Sequence, residues 1–183
     1  MKIILCPNPF RDKGLKAAYQ AQRILSAAGA KTEYCFPFPV EKSNIGDIDP
    51  SIKIKEMKTE LPDADFLVCF GGDGTILHAA KDASSFGVPI VGVNMGSVGF
   101  MAELEQGELS DLTRLVSGEY TLENRMLLDV RVIREGRVIF RSTALNDAVI
   151  TKGAVARVID LQVYGDKVLI SNVFGDGVIL STP

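Results

Sequence analysis

Nothing in the sequence is long and apolar enough to cross a bilayer, which takes ~20 residues; the longest apolar stretches, residues 66–70 and 88–93, stop far short. A single lysine and a short apolar run open the chain, too little for the core of a secretion signal. Both absences point to a cytosolic protein with no membrane partner. Basic excess is missing as well: 20 Lys and Arg against 23 Asp and Glu leave a net charge of −3. No cationic surface is on offer to a phosphodiester backbone, so nucleic acid is excluded as a partner. Cysteine is scarce, and Cys6, Cys35 and Cys69 form an odd set without CxxC or Cys/His spacing. That excludes a disulfide framework and a zinc site, and leaves each thiol to fill a buried strand position. Histidine occurs once, as His78, with no paired Asp or Ser in view, so it reads as an ordinary helix side chain rather than a catalytic acid. Two nucleotide fingerprints are also missing: there is no GxxxxGKS/T, and no GxGxxG after the first strand.

What is present is a chain of 183 residues, 46% apolar and 23% charged, enough for one or two domains that bury a core without disulfide staples. Residues 2–6 form a continuous apolar run, the pattern of a strand covered on both faces. Leu15, Ala18, Ala21, Leu25 and Ala28 then recur at helical spacing and meet Gly29, a glycine stop, with Lys13, Lys16 and Arg23 on one solvated face. A second strand is expected over 31–36, followed by a polar, mobile loop over 37–50. Residues 65–70 are nearly all apolar and run straight into Gly71-Gly72-Asp73-Gly74, after which 75–84 read as a helix; 89–93 repeat the strand pattern. Strands alternating with helices imply a doubly wound, Rossmann-like parallel sheet over residues 1–120, with ligands expected beyond the carboxyl ends of its strands. From 121 to 183 the pattern becomes all-β. Leu128, Val130 and Val132 alternate with charged residues before Glu135-Gly136, and Gly165-Asp166 stands between two further apolar runs as a tight turn in which the glycine takes positive φ. This second domain reads as incomplete.

Residues 71–75 carry the chemistry. Glycines let backbone approach an anion, and a helix N-terminus offers free N–H groups, so a phosphate fits against Gly71, Gly72, Gly74 and Thr75. Asp73 in such a cradle would repel phosphate unless it points to a metal ion or to the hydroxyl that attacks one. The alternative is that Asp73 only caps the helix from Thr75. Thr75 reads equally as a first-turn helix residue, Asn146-Asp147 as an Asx turn, and Asp176-Gly177 as a hairpin pair.

Four motifs in order, Gly71-Gly72-Asp73-Gly74-Thr75, Asn94-Met95-Gly96-Ser97-Val98-Gly99-Phe100, Asn146-Asp147 and Asp176-Gly177-Val178-Ile179-Leu180-Ser181-Thr182-Pro183, resemble those of the NAD kinase family, and the likeness runs from Ile3 to Pro183. The resemblance implies phosphoryl transfer from ATP or polyphosphate, with Mg²⁺ or another divalent cation, to the 2′-hydroxyl of the adenosine ribose of NAD, giving NADP. It implies Asp73 as general base on that hydroxyl, Gly74 beside the substrate, Phe100 on the adenine side, Asn146 and Asp147 hydrogen-bonded to NAD, and Asp176 near the nicotinamide half. No protein metal ligand is singled out. It implies a homodimer or homotetramer built through the β domain. Two departures stand out: Phe174 occupies a position often held by Arg, and the chain stops where the family continues, so it is expected to be a truncated form that is inactive alone. A helix N-terminus stabilises an ionised aspartate and makes it a weak base, so orientation of the hydroxyl would carry more than proton removal. Two other readings remain open: a lipid kinase with the same loop, which would want an apolar or basic membrane-facing patch, and a non-catalytic dinucleotide-binding fragment.

Overall fold

A computed structural model of the chain describes residues 1–41, 48–96, 99–153 and 157–182. Part of the loop expected to be mobile, residues 42–47, lies outside the described residues, as do Ser97, Val98 and Pro183 of the motifs. The chain divides into two compact units, Met1–Glu123 and Asn124–Pro183.

In the first unit, six parallel strands stand in the order β3-β2-β1-β4-β5-β6: β1 (Lys2–Pro7), β2 (Lys31–Cys35), β3 (Ile54–Lys55), β4 (Phe66–Gly71), β5 (Ile90–Asn94) and β6 (Leu104–Glu105). This is the doubly wound, Rossmann-like arrangement. The two central strands are buried on both faces because their residues alternate between two cores. Ile3, Leu5, Phe66, Val68 and Phe70 point to one face, where α1 (Lys16–Ala27) covers them with Ala17, Ala18, Ala21 and Leu25, joined by Leu109 and Leu112 of the 3-10 helix Gln106–Leu112. Ile4, Cys6, Leu67 and Cys69 point to the other, where α3 (Asp73–Phe86) lays down Ile76, Ala79 and Ala83. Smaller helices add to each core: α2 (Met57–Glu60) contributes Met57 to the second and α4 (Thr113–Ser117) contributes Leu115 to the first.

All three cysteines are buried and free, as the sequence indicated. Burial pushes the Cys6 thiol well above its ordinary value and the Cys35 thiol up to about 12, which keeps both protonated and inert. The helix after β1 opens differently from expectation. Leu15 sits in the left-handed region, and Asp12, 2% exposed, supplies the cap from four residues upstream by accepting the N–H groups of Ala17 (3.0 Å) and Ala18 (2.9 Å). Lys13 therefore belongs to a separate 3-10 turn, Lys13–Leu15, while Lys16 and Arg23 share the exposed face of α1. No helix among the described residues is long and apolar enough to cross a membrane.

The second unit is built of antiparallel pairs: β7 (Leu128–Arg134) with β8 (Arg137–Ala144), β9 (Asp147–Thr151) with β12 (Gly177–Ser181), and β10 (Ile159–Gly165) with β11 (Val168–Gly175). The first turn is the one expected, with Glu135 and Gly136 both at positive φ. The β10–β11 turn is displaced by one residue from expectation. Gly165 pairs within the ladder opposite Val168, and the left-handed residues are Asp166 (φ 50°) and Lys167 (φ 70°). Asp176-Gly177 is no hairpin turn either, because β12 pairs with β9 and not with the preceding β11.

Candidate active site

Strand β1 has β2 on one side and β4 on the other, so the chain leaves the centre of the sheet in opposite directions at this pair. In a doubly wound sheet the crevice for a ligand opens there, beyond the carboxyl ends of the two strands. Two loops flank it: Asn8–Asp12 after β1 and Gly71–Asp73 after β4.

The second of these loops is tightly made. Gly71 is required by packing, because a methyl group there would collide with the Thr75 hydroxyl. Gly72 and Gly74 face open space, where a methyl group would meet nothing, so this side of the loop is free to accept a ligand. Helix α3 begins two residues earlier than the sequence suggested: Gly72, extended at φ −106°, is its cap residue and Asp73 its first residue. Gly87 ends it in the left-handed region, its N–H and that of Val88 closing on Ser84 and Ala83.

Asp73 is half-buried, neither sealed in the core nor free. Its carboxylate does not cap α3. Oδ2 accepts the N–H of Phe100 (3.1 Å) and Oδ1 the N–H of Met101 (3.1 Å), so the acid clasps the loop that follows β5. The closeness of that clasp is why residue 99 is glycine, since a methyl group there would strike Asp73 Oδ1. Phe100, anchored through its backbone, is 98% exposed. Buried Asn94, at the end of β5, folds the start of the same loop. Its amide donates to both Glu105 carboxylate oxygens (3.1 and 3.2 Å), and its Oδ1 accepts the N–H of Gly96 (3.2 Å).

Thr75 is buried, and its hydroxyl accepts the Asn8 amide (3.0 Å). Asn8 also donates its backbone N–H to Phe70 (2.9 Å) and accepts that of Phe10 (3.0 Å), so the loop after β1 is pinned to the loop after β4. His78 is exposed on α3 and meets the edge of Phe38 at 5.4 Å, while Phe38 stacks on Phe10 at 6.2 Å. Asn94 stood in the second motif without an assigned role, and Asn8 was not singled out by the sequence. The only signal for Asn8 was its place between Pro7 and Pro9 at a strand's end.

The remaining candidates belong to the second unit. Asn146 lies in the bend before β9 and Asp147 is the first residue of β9, opposite Ser181; the backbone of Asn146 accepts the Thr182 N–H (3.1 Å). Asp176 stands at the other end of the same ladder, beside the Gly177–Thr151 pair, with its carboxylate 2.7 Å from Lys152 Nζ. Four residues of strand, about 14 Å, separate the two places, so Asn146 and Asp147 are brought together and Asp176 is held apart from them. Phe174 is exposed on β11. Among the described residues no three His, Cys, Asp or Glu side chains cluster as a metal site.

A family model for the ATP-NAD kinase N-terminal domain matches residues 4–120. A curated NAD kinase of Acetivibrio thermocellus is 33% identical over the whole of this chain, which spans 62% of that protein. One from Symbiobacterium thermophilum is 41% identical over 66% of this chain and 43% of its own length. Among solved structures, yeast NADH kinase in complex with NADH superposes with a TM-score of 0.80 at 19% identity, covering 99% of this chain and 57% of the yeast protein, which shows a shared fold.

Proposed function

The chain belongs to the NAD kinase family, and from that membership we propose that it takes part in phosphoryl transfer from ATP or polyphosphate to the 2′-hydroxyl of the adenosine ribose of NAD, giving NADP. The observation that carries this reading is the placement of Asp73. It is a half-buried carboxylate just past the carboxyl end of β4, the strand paired with β1, beside two glycines that open onto space. Nothing in the family match favours the lipid-kinase alternative.

Each carboxylate oxygen of Asp73 gives one lone-pair direction to a backbone N–H and keeps another for a substrate hydroxyl. The clasp on Phe100 and Met101 therefore fixes where the acid points without using it up. Phosphoryl transfer passes through a loose transition state with little early proton removal. A carboxylate that orients the hydroxyl and takes its proton late is enough, and most of the acceleration comes from positioning. Gly72 and Gly74 leave room for the phosphates to approach backbone N–H groups at the start of α3. Mg²⁺ is commonly held largely by substrate phosphates and water; bound there, the ion would neutralise charge on the phosphates, while Asp73 serves the hydroxyl. In the same reading Phe100 lines the adenine side, Asn146 and Asp147 hydrogen-bond NAD, and Asp176 lies near its nicotinamide half. The working protein is a cytosolic homodimer or homotetramer, which sedimentation tests directly.

The decisive experiment compares Asp73→Asn with the parent in the full-length protein, supplied with NAD, Mg²⁺ and ATP. Turnover should fall by at least ~10²-fold while NAD affinity stays within a few-fold. Near-normal turnover rejects the general-base role, and a parent protein that makes no NADP rejects the reaction.

A further inference from the structure

We propose that Arg11 binds the phosphates of the phosphoryl donor, reaching from the loop after β1 over the glycine loop after β4. This rests on the kinase reading above and assigns a donor contact within it. Three observations place the residue. Its loop is tied to the strand and helix that carry the glycine loop: the Arg11 N–H is held by the Asn8 carbonyl (3.0 Å), and Asn8 is tied by backbone to Phe70 and by side chain to Thr75. Its guanidinium lies against the loop after β5, because a methyl group built on Gly96 would sit 3.9 Å from Arg11 Nη1. Arg11 thus stands in the loop after β1 with its guanidinium near the loop after β5, and these two loops follow the strands on either side of β4, which carries Gly71-Gly72-Asp73-Gly74.

The third observation is charge. Lys2, Lys55, Arg131, Arg141 and Lys152 are each engaged by carboxylates, whereas Arg11 is exposed and has no carboxylate partner among the described residues. A guanidinium offers a planar fork of donors that matches phosphate oxygens in pairs. A positive charge at the glycine loop would also offset the repulsion that the Asp73 carboxylate exerts on incoming phosphate. Lys13, two residues on, is exposed too, but sits in the 3-10 turn leading to α1.

The test is steady-state kinetics of the full-length protein with ATP and, separately, with polyphosphate. Arg11→Ala should raise KM for both donors by about ten- to a hundred-fold, the loss expected for a charged hydrogen-bonding contact, and leave KM for NAD within about two-fold. Arg11→Lys should recover part of the loss, and Lys13→Ala should behave as the parent. The proposal falls if Arg11→Ala leaves donor KM unchanged, if it acts on NAD instead, if it acts on ATP alone, or if Lys13→Ala acts equally. Should Arg11→Ala fail to fold by circular dichroism, Arg11→Gln takes its place under the same criteria. Calorimetric titration with tripolyphosphate separates the two readings: a parent that makes no NADP yet binds it through Arg11 sinks the reaction and keeps the contact. Active enzyme with binding indifferent to Arg11 sinks the contact alone.

Discussion

The two units use the same raw material to different ends. In Met1–Glu123, strands rich in Ile, Val and Leu are stacked between helices, and Ile3, Ile4, Leu5, Leu67 and Val68 are shut off from water completely. In Asn124–Pro183, strands of similar composition pair into antiparallel ladders, yet no described residue is buried; Ile133, Val168, Ile170 and Ile179 are each more than 60% exposed. The difference is a second layer. A ladder satisfies backbone hydrogen bonds by itself, but its apolar side chains gain little until another sheet or helix covers them, and a two-stranded ladder alone is marginal in water. The kinase reading divides along the same line. The loops that would handle phosphate stand on the buried sheet, and the residues expected to hold the rest of NAD stand on the ladders.

This contrast is open to direct attack. In the 183-residue chain, Leu67→Ala, which empties a site in the core beneath α3, should cost about 2–5 kcal/mol in urea unfolding, while Ile170→Ala on the exposed ladder should stay within about 0.5 kcal/mol. Equal losses would show that the ladders carry a core of their own. A smaller effect is expected at Asp12, where Asp12→Ala strips the cap from the first helix and should cost about 1–2 kcal/mol; no loss would mean that water replaces the carboxylate there. The least is expected from acid. Lys2 grips Glu60 and Asp63 at 2.9 and 2.7 Å and holds both carboxyls below their ordinary values of 4.5 and 3.8. Their contribution is complete above those ordinary values and drains away as pH falls through the lowered ones. The urea midpoint should therefore decline from about pH 4.5 downward, and Lys2→Met should flatten that decline; an unchanged slope would assign it to other groups.

Local structure was legible in the chain. Runs such as 2–6 and 65–70 became buried strands because a parallel sheet leaves neither face to solvent, and the small-residue stripe of α1 became its packing face. Legibility failed where a side chain is satisfied from afar. Asp73 looked like a possible helix cap because caps are short-range, whereas its partners lie 27 and 28 residues on. Asp176-Gly177 looked like a hairpin because the pair suits a turn, but the ladder it enters joins β12 to a strand far upstream.

Periodicity and glycine placement were enough to write down the α/β unit, its glycine loop and the change to β structure, since each follows from which neighbours along the chain share a face. Contacts across the crevice were not written there. Asn8 on Thr75, Asp73 on Phe100 and Met101, and Arg11 against Gly96 arise only when the sheet sets β1, β4 and β5 side by side. Strand order is a global choice among pairings that local patterns leave equally permitted.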